Sequence, residues 1–127
     1  MNIIGLEYGK WLSTMDWDIL ATIRTHYSLT PASSDRMMAN LIKYRNIDKL
    51  FFTLERDRNC QMNHAHLLLK SNSFLDRETL AKQLHVNPKA VSYFMDVISP
   101  EAVSYYCSKY ITKSYSHHNF YTSSTQY

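Results

Sequence analysis

Glycine is scarce in this chain of 127 residues: Gly5 and Gly9 are the only two. No glycine-rich phosphate loop can be built from them, which excludes a Walker-type ATPase and a dinucleotide-binding fold. Turns must rely on Asn, Asp and Ser instead. Cysteine is equally rare. Cys60 and Cys107 lie far apart and share no metal-like spacing, so the chain reads as a protein of a reducing, intracellular compartment, the cytoplasm, rather than a disulfide scaffold. No run approaches the ~18 apolar residues of a membrane span, so no membrane partner is expected. The opening Met1-Asn2-Ile3-Ile4-Gly5-Leu6-Glu7 lacks the basic and long apolar parts of a secretory signal. A strong charge of either sign is also missing. The net charge of +3 permits a nucleic-acid partner without arguing for one.

What is present suits one globular domain with its own core: 45% of the residues are apolar and 20% charged. Ten tyrosines are many for this length. Aromatic faces can stack unpaired bases, though tyrosine also fills cores and surfaces.

Residues 1–15 carry no clear pattern. The β-branched run Asp18 to Thr25 predicts a strand. Thr30-Pro31-Ala32-Ser33-Ser34 reads as a loop offering helix caps. From about Ser34 to Arg45, Met37, Met38, Leu41, Ile42 and Tyr44 recur at helical spacing. Lys49 to Glu55 predicts a second strand, Asp57 to Met62 a turn, and Asn63 to Lys70 a third strand. Asp76 to about His85 predicts a second helix, ended by Asn87-Pro88. Val91 to Ile98 reads as a fourth strand. Ser99-Pro100-Glu101 then starts a third helix running to about Lys113. The order β-α-β-β-α-β-α predicts an α+β fold, an antiparallel sheet with packed helices of ferredoxin-like kind. One domain spans 1–127, with its core at about 16–113. Residues 114–127, rich in Ser, Tyr and His, read as a flexible tail in which His117 and His118 receive no role.

Residues two apart in a strand share a face. In Asn63-His64-Ala65-His66-Leu67-Leu68-Leu69 the two histidines therefore project together and Ala65 projects away. The second and third strands should pair as a hairpin. A turn centred near Asn59-Cys60 sets Glu55 across from the histidines. Two imidazoles and a carboxylate suit a divalent ion with open coordination positions. The mixed nitrogen and oxygen donors fit Mn²⁺, and Mg²⁺ where it is abundant. Asp57 is the reserve carboxylate, and Cys60 would make a zinc site instead.

On the third predicted helix, residues four apart lie about 40° apart on one face. Tyr106 and Tyr110 form such a pair, with Lys109 and Lys113 beside them. Val103, Cys107 and Ile111 form the stripe expected to pack on the sheet. A phenol has a pKa near ~10 and is a weak nucleophile, but a nearby metal or lysine favours the phenolate. Lysine also offers a compact charge to a phosphate.

Taken in this order, the motifs resemble the HUH endonucleases, named for His, hydrophobic residue, His, and most of all the initiators of rolling-circle replication. The resemblance covers residues 16 to 113. Glu55 and His64-Ala65-His66 match the acid and metal histidines of that family. Tyr106-x-x-Lys109-Tyr110-x-x-Lys113 is similar to the two-tyrosine motif of single-stranded DNA phage initiators, and Ile19 to Thr25 would be the first family motif. Ala65 is small for the middle position. The tyrosines follow the histidines, whereas conjugative relaxases have the opposite order. The resemblance implies a ferredoxin-like, RRM-like nuclease domain that nicks and rejoins origin DNA in single-stranded form. Its tyrosine would form a covalent 5′-phosphotyrosine and its free 3′-hydroxyl would prime replication. It also implies a separate helicase and a host DNA polymerase as partners. Three readings compete: a single-strand transposase with the same chemistry, a non-catalytic module that binds single-stranded nucleic acid through aromatics, and a structural zinc protein.

Overall fold

The computed structural model describes residues 10–56, 62–97 and 117–123. Its centre is a five-stranded antiparallel sheet made of β1 (Ile19–Ile23), β2 (Ile47–Arg56), β3 (Asn63–Ser71), β4 (Val91–Asp96) and β5 (His118–Thr122), in the order β4-β1-β3-β2-β5. Helix α1 (Pro31–Leu41) links β1 to β2, and helix α2 (Arg77–Leu84) leads through a 3-10 turn at Pro88–Ala90 into β4. The expected α+β, ferredoxin-like arrangement is therefore present in its first four strands, with a fifth added outside β2. No helix among the described residues is long and apolar enough to cross a membrane.

Strand alternation sorts the side chains. Ile19, Ala21 and Ile23 of β1, Leu50, Phe52 and Leu54 of β2, and Ala65, Leu67 and Leu69 of β3 face one way. There they meet Met38 and Leu41 of α1 and Leu80, Ala81 and Leu84 of α2 in the main core. The opposite face is covered in part by residues preceding β1. Residues 10–13 are helical, and Leu12 and Trp17 pack with Leu20, Phe51 and Leu68 in a second cluster. The Trp17 indole N–H donates to the Leu12 carbonyl at 2.8 Å, which satisfies its polar end while the ring is buried.

Helix α1 begins earlier than the hydrophobic spacing predicts. Thr30 is its N-cap and Pro31 its first residue. Thr30 Oγ1 accepts from the Ser33 N–H, and Ser33 Oγ accepts from the Thr30 N–H, both at 3.0 Å. Reciprocal capping of this kind satisfies two end groups that a helix leaves without intrahelical partners. In α2 the Asp76 carboxylate accepts from the Thr79 N–H at 2.8 Å, and this bond holds its pKa below the usual carboxylate value. The third predicted helix, about 99–113, lies outside the described residues.

The flexible tail expected over 114–127 is corrected for His118–Thr122, which form the sheet edge. Their own alternation explains it. Phe120 turns to the second cluster, 5.0 Å from the Trp11 ring. Tyr121 turns the other way and stacks on Phe52, with the rings 10° from parallel. Asp35 of α1 then fastens the strand to the helix layer. Its Oδ1 lies 2.8 Å from His117 Nε2 and accepts from Asn119 and from the Tyr121 hydroxyl, each at 3.4 Å. Burial raises the Asp35 pKa, but these bonds and the His117 charge outweigh it, and the net shift is downward. Burial and the Asp35 charge raise that of Tyr121. His118 to Thr122 therefore form a strand once a hydrophobic edge and a single carboxylate receive them.

Replacing Asp35 with Ala should cost about 1 kcal/mol, because the lost bonds are partly solvent-exposed. The effect should concentrate at the β2–β5 edge. In hydrogen exchange the Leu54 amide, which donates to the His117 carbonyl at 2.8 Å, should lose protection before the β1–β3 amides do. Uniform loss of protection would contradict a localised clasp.

Candidate metal centre

The hairpin of β2 and β3 brings the predicted ligands together. Glu55 pairs directly with His64, Leu54 with Ala65, and Thr53 with His66. This register has its midpoint between Asn59 and Cys60, where the sequence placed it. His64 and His66 consequently lie on the face away from α1 and α2, beside each other, with ring centroids 4.9 Å apart. Both Nε2 atoms converge on one carboxylate oxygen: Glu55 Oε1 is 3.0 Å from His64 and 2.8 Å from His66. One ligand atom from each residue lies within 4.8 Å of the others, so the three form a group that can hold a metal ion.

The surroundings reinforce that arrangement. Each histidine is only 4% exposed. A buried imidazole is costly to protonate. Burial is the leading cause that pushes the His66 pKa down to about 4, and the charges of His64 and Arg24 push the same way against the opposing pull of Glu55. His66 is thus neutral at physiological pH, the form that binds metal without first losing a proton. Its Nδ1 lies 3.1 Å from the Thr22 hydroxyl on β1. That hydroxyl can donate or accept. It can therefore serve either tautomer of His66, including the one with Nε2 turned to a metal, and it orients the ring as an outer partner does in metal sites.

Thr22 is a site residue that the sequence reading missed. It belongs to a row of directly paired residues across all five strands: Tyr93, Thr22, His66, Thr53 and His118. Paired residues share a face, so the polar groups of this row all border the metal ligands. The neighbouring row on the same face, Met95, Leu20, Leu68, Phe51 and Phe120, is apolar throughout. Thr53 Oγ1 is buried without a hydrogen-bond partner among the described residues. His118, given no role in the sequence reading, sits in the polar row opposite Thr53, its ring 6.1 Å from that of Phe51. Of the remaining sequence candidates, Tyr106, Lys109, Tyr110 and Lys113, together with Asp57 and Cys60, lie outside the described residues.

The donor set fits a divalent ion. Two nitrogen donors and one oxygen donor converge from adjacent strands of a sheet, where backbone pairing fixes their separation.

A folded His66 pKa near 4 and an unfolded value of 6.5 fix the sign of a pH effect. Between those values the unfolded chain binds more protons than the folded one, so stability falls as pH falls through that window. Chemical denaturation at pH 7, 5.5 and 4.5 should show the decline, and His66→Gln should flatten it. Thr22→Val removes the outer partner of His66 and leaves Nδ1 without that bond. It should weaken Mn²⁺ binding by about 10–100-fold, measured by titration calorimetry. Wild-type affinity would show that Thr22 does not orient the ring.

Comparison of the chain with family models, with curated proteins and with solved structures finds no match.

Proposed function

We propose that the protein is a metal-dependent nicking and joining endonuclease for single-stranded DNA, acting at a replication origin to start rolling-circle replication. The observation that carries this reading is the convergence of Glu55, His64 and His66 on one face of the sheet, in a chain where Tyr106-x-x-Lys109-Tyr110-x-x-Lys113 follows them. Order and spacing of these motifs are those of the HUH initiators that the sequence resembles.

Glu55, His64 and His66 would hold Mn²⁺ or Mg²⁺. When bound, such an ion acts as a Lewis acid on a phosphate oxygen. Tyr106 supplies the nucleophile: its phenol oxygen forms the bond to phosphorus, and the bond from phosphorus to the 3′-oxygen breaks. The leaving 3′-oxygen takes up a proton and becomes the free 3′-hydroxyl that primes synthesis, while the 5′-phosphate stays on the tyrosine. No net phosphodiester bond is lost, so the reverse attack rejoins the strand. Lys109 and Lys113 favour the phenolate and neutralise phosphate charge, and Tyr110 serves a second round of cleavage. A separate helicase and a host polymerase would complete replication.

The test is a denaturing gel of protein incubated with Mn²⁺ and a pool of single-stranded oligonucleotides. A band that resists denaturation, needs the metal and disappears in Tyr106→Phe or in the Tyr106→Phe/Tyr110→Phe pair is expected. Glu55→Ala should abolish it. Strand binding with no adduct and no cleavage, using DNA from the replicon that encodes the chain, would overturn the proposal in favour of a non-catalytic binding module.

A further inference from the structure

A pocket of about 470 Å³ opens at the end of β1, in the segment from Arg24 to Tyr27 and against the segment from His85 to Ala90 that joins α2 to β4. Among the described residues its lining contains Arg24, Lys89, His26 and His85, and no carboxylate. Tyr27 adds an aromatic face that is 45% exposed. Local bonds set these groups in place. The Arg24 N–H donates to the Ala90 carbonyl at 2.7 Å and ties the two walls together. The Asn87 side chain accepts from the Lys89 N–H at 2.9 Å. The Tyr27 carbonyl accepts from the Thr25 hydroxyl at 2.5 Å, and the His26 ring meets the Tyr27 ring edge-on at 5.1 Å.

Two further observations point to a ligand. His85 caps α2 with φ 59° and ψ 42°, the only non-glycine residue with positive φ among those described. Glycine is the residue such a cap favours; histidine is among the other side chains found there more often, and from that position His85 lines the pocket. The pocket also lies at the same end of the sheet as the candidate metal group. Ile23, just before Arg24, pairs with Ala65, the residue between the two histidines.

We propose that this pocket binds one nucleotide of a single-stranded nucleic acid, its phosphate held by Arg24 and Lys89 with His85, and its base against Tyr27. Its volume falls in the ~300–1,000 Å³ range of small-ligand sites. Cations in a groove beside an exposed aromatic ring are the groups that grip an unpaired strand. The preference for a phosphate stands on the pocket alone; the identification of the occupant as part of the strand cut at Glu55, His64 and His66 rests on the proposed nuclease function.

The full-length chain is tested in EDTA by anisotropy of a labelled oligothymidylate, with thymidine 5′-monophosphate and thymidine as competitors. The monophosphate should compete and the nucleoside should not. Arg24→Ala and Lys89→Ala should each weaken binding by about 5-fold or more and reduce the slope of log affinity against log salt by about 0.7. Lys43→Ala, a control away from the pocket, should leave the slope unchanged. His85→Gly should weaken binding while the thermal midpoint stays or rises, because glycine suits that backbone position. The proposal is overturned if the Arg24 and Lys89 variants match the Lys43 control, or if His85→Gly binds as the wild type does. Binding of thymidine 5′-monophosphate in titration calorimetry, with no anisotropy change for the oligonucleotide, would overturn the assignment to a strand. Normal salt slopes in these variants alongside intact nicking would sink the pocket alone. Reduced slopes with no nicking of the correct DNA would sink the nuclease reading alone.

Discussion

The pairing register of β2 with β3 is the constraint on which the rest of the site depends. Side chains alternate along a strand, so a slip of one residue would carry every group to the opposite face. His64 and His66 would then enter the helix-side core, and Ala65, Leu67 and Leu69 would leave it. The main core prevents this. Leu50, Phe52 and Leu54 lie beside Leu69, Leu67 and Ala65 under the two helices, and exposing even a few of these side chains costs about 1.5–3 kcal/mol each. The candidate metal ligands are thus aligned by apolar side chains that point to the opposite face of the sheet.

The same alternation divides the second face into two adjoining rows of opposite character. The apolar row from Met95 to Phe120 accepts Leu12 and Trp17 from the segment before β1, and Lys49 lies 5.4 Å from the Trp17 ring centroid. The polar row from Tyr93 to His118 borders Glu55 and His64. Burying polar groups is unfavourable unless they find partners, and for Glu55, His64, His66 and Thr22 the partners are one another. Glu55 bridges both histidines, and Thr22 meets the far nitrogen of His66. The strand carrying His118 reaches this face because Asp35 anchors its other side to α1. Anchoring on one face therefore helps to place the polar row on the other.

On the proposed reading, the candidate metal group and the basic pocket at the same end of one sheet would together offer a surface to a polyanion. Arg24 lines the pocket and directly follows Ile23, which pairs with Ala65 between the two histidines. The net charge of +3 is too small to advertise such a surface. Local concentration of charge, rather than its total, gives a binding face its preference.

Much of the site was legible in the sequence because it depends on local rules. Period-two alternation put His64 and His66 on one face. A turn near Asn59-Cys60 set Glu55 opposite them, and the hairpin has that register. The element order predicted the antiparallel sheet of the first four strands. What the sequence left open depends on contacts between distant segments. Thr22 looked like any β-branched residue until β1 lay against β3, 44 positions away in the chain. The Asp35 contacts to His117, Asn119 and Tyr121 span more than 80 positions, so a polar stretch that reads as a tail became a strand. The pocket likewise joins two loops whose pairing no local pattern encodes. By itself the sequence determined which residues share a face and which can bind a metal, because alternation and donor chemistry are properties of neighbours. Only the tertiary structure decided which strands stand side by side, because that choice is made by the whole core at once.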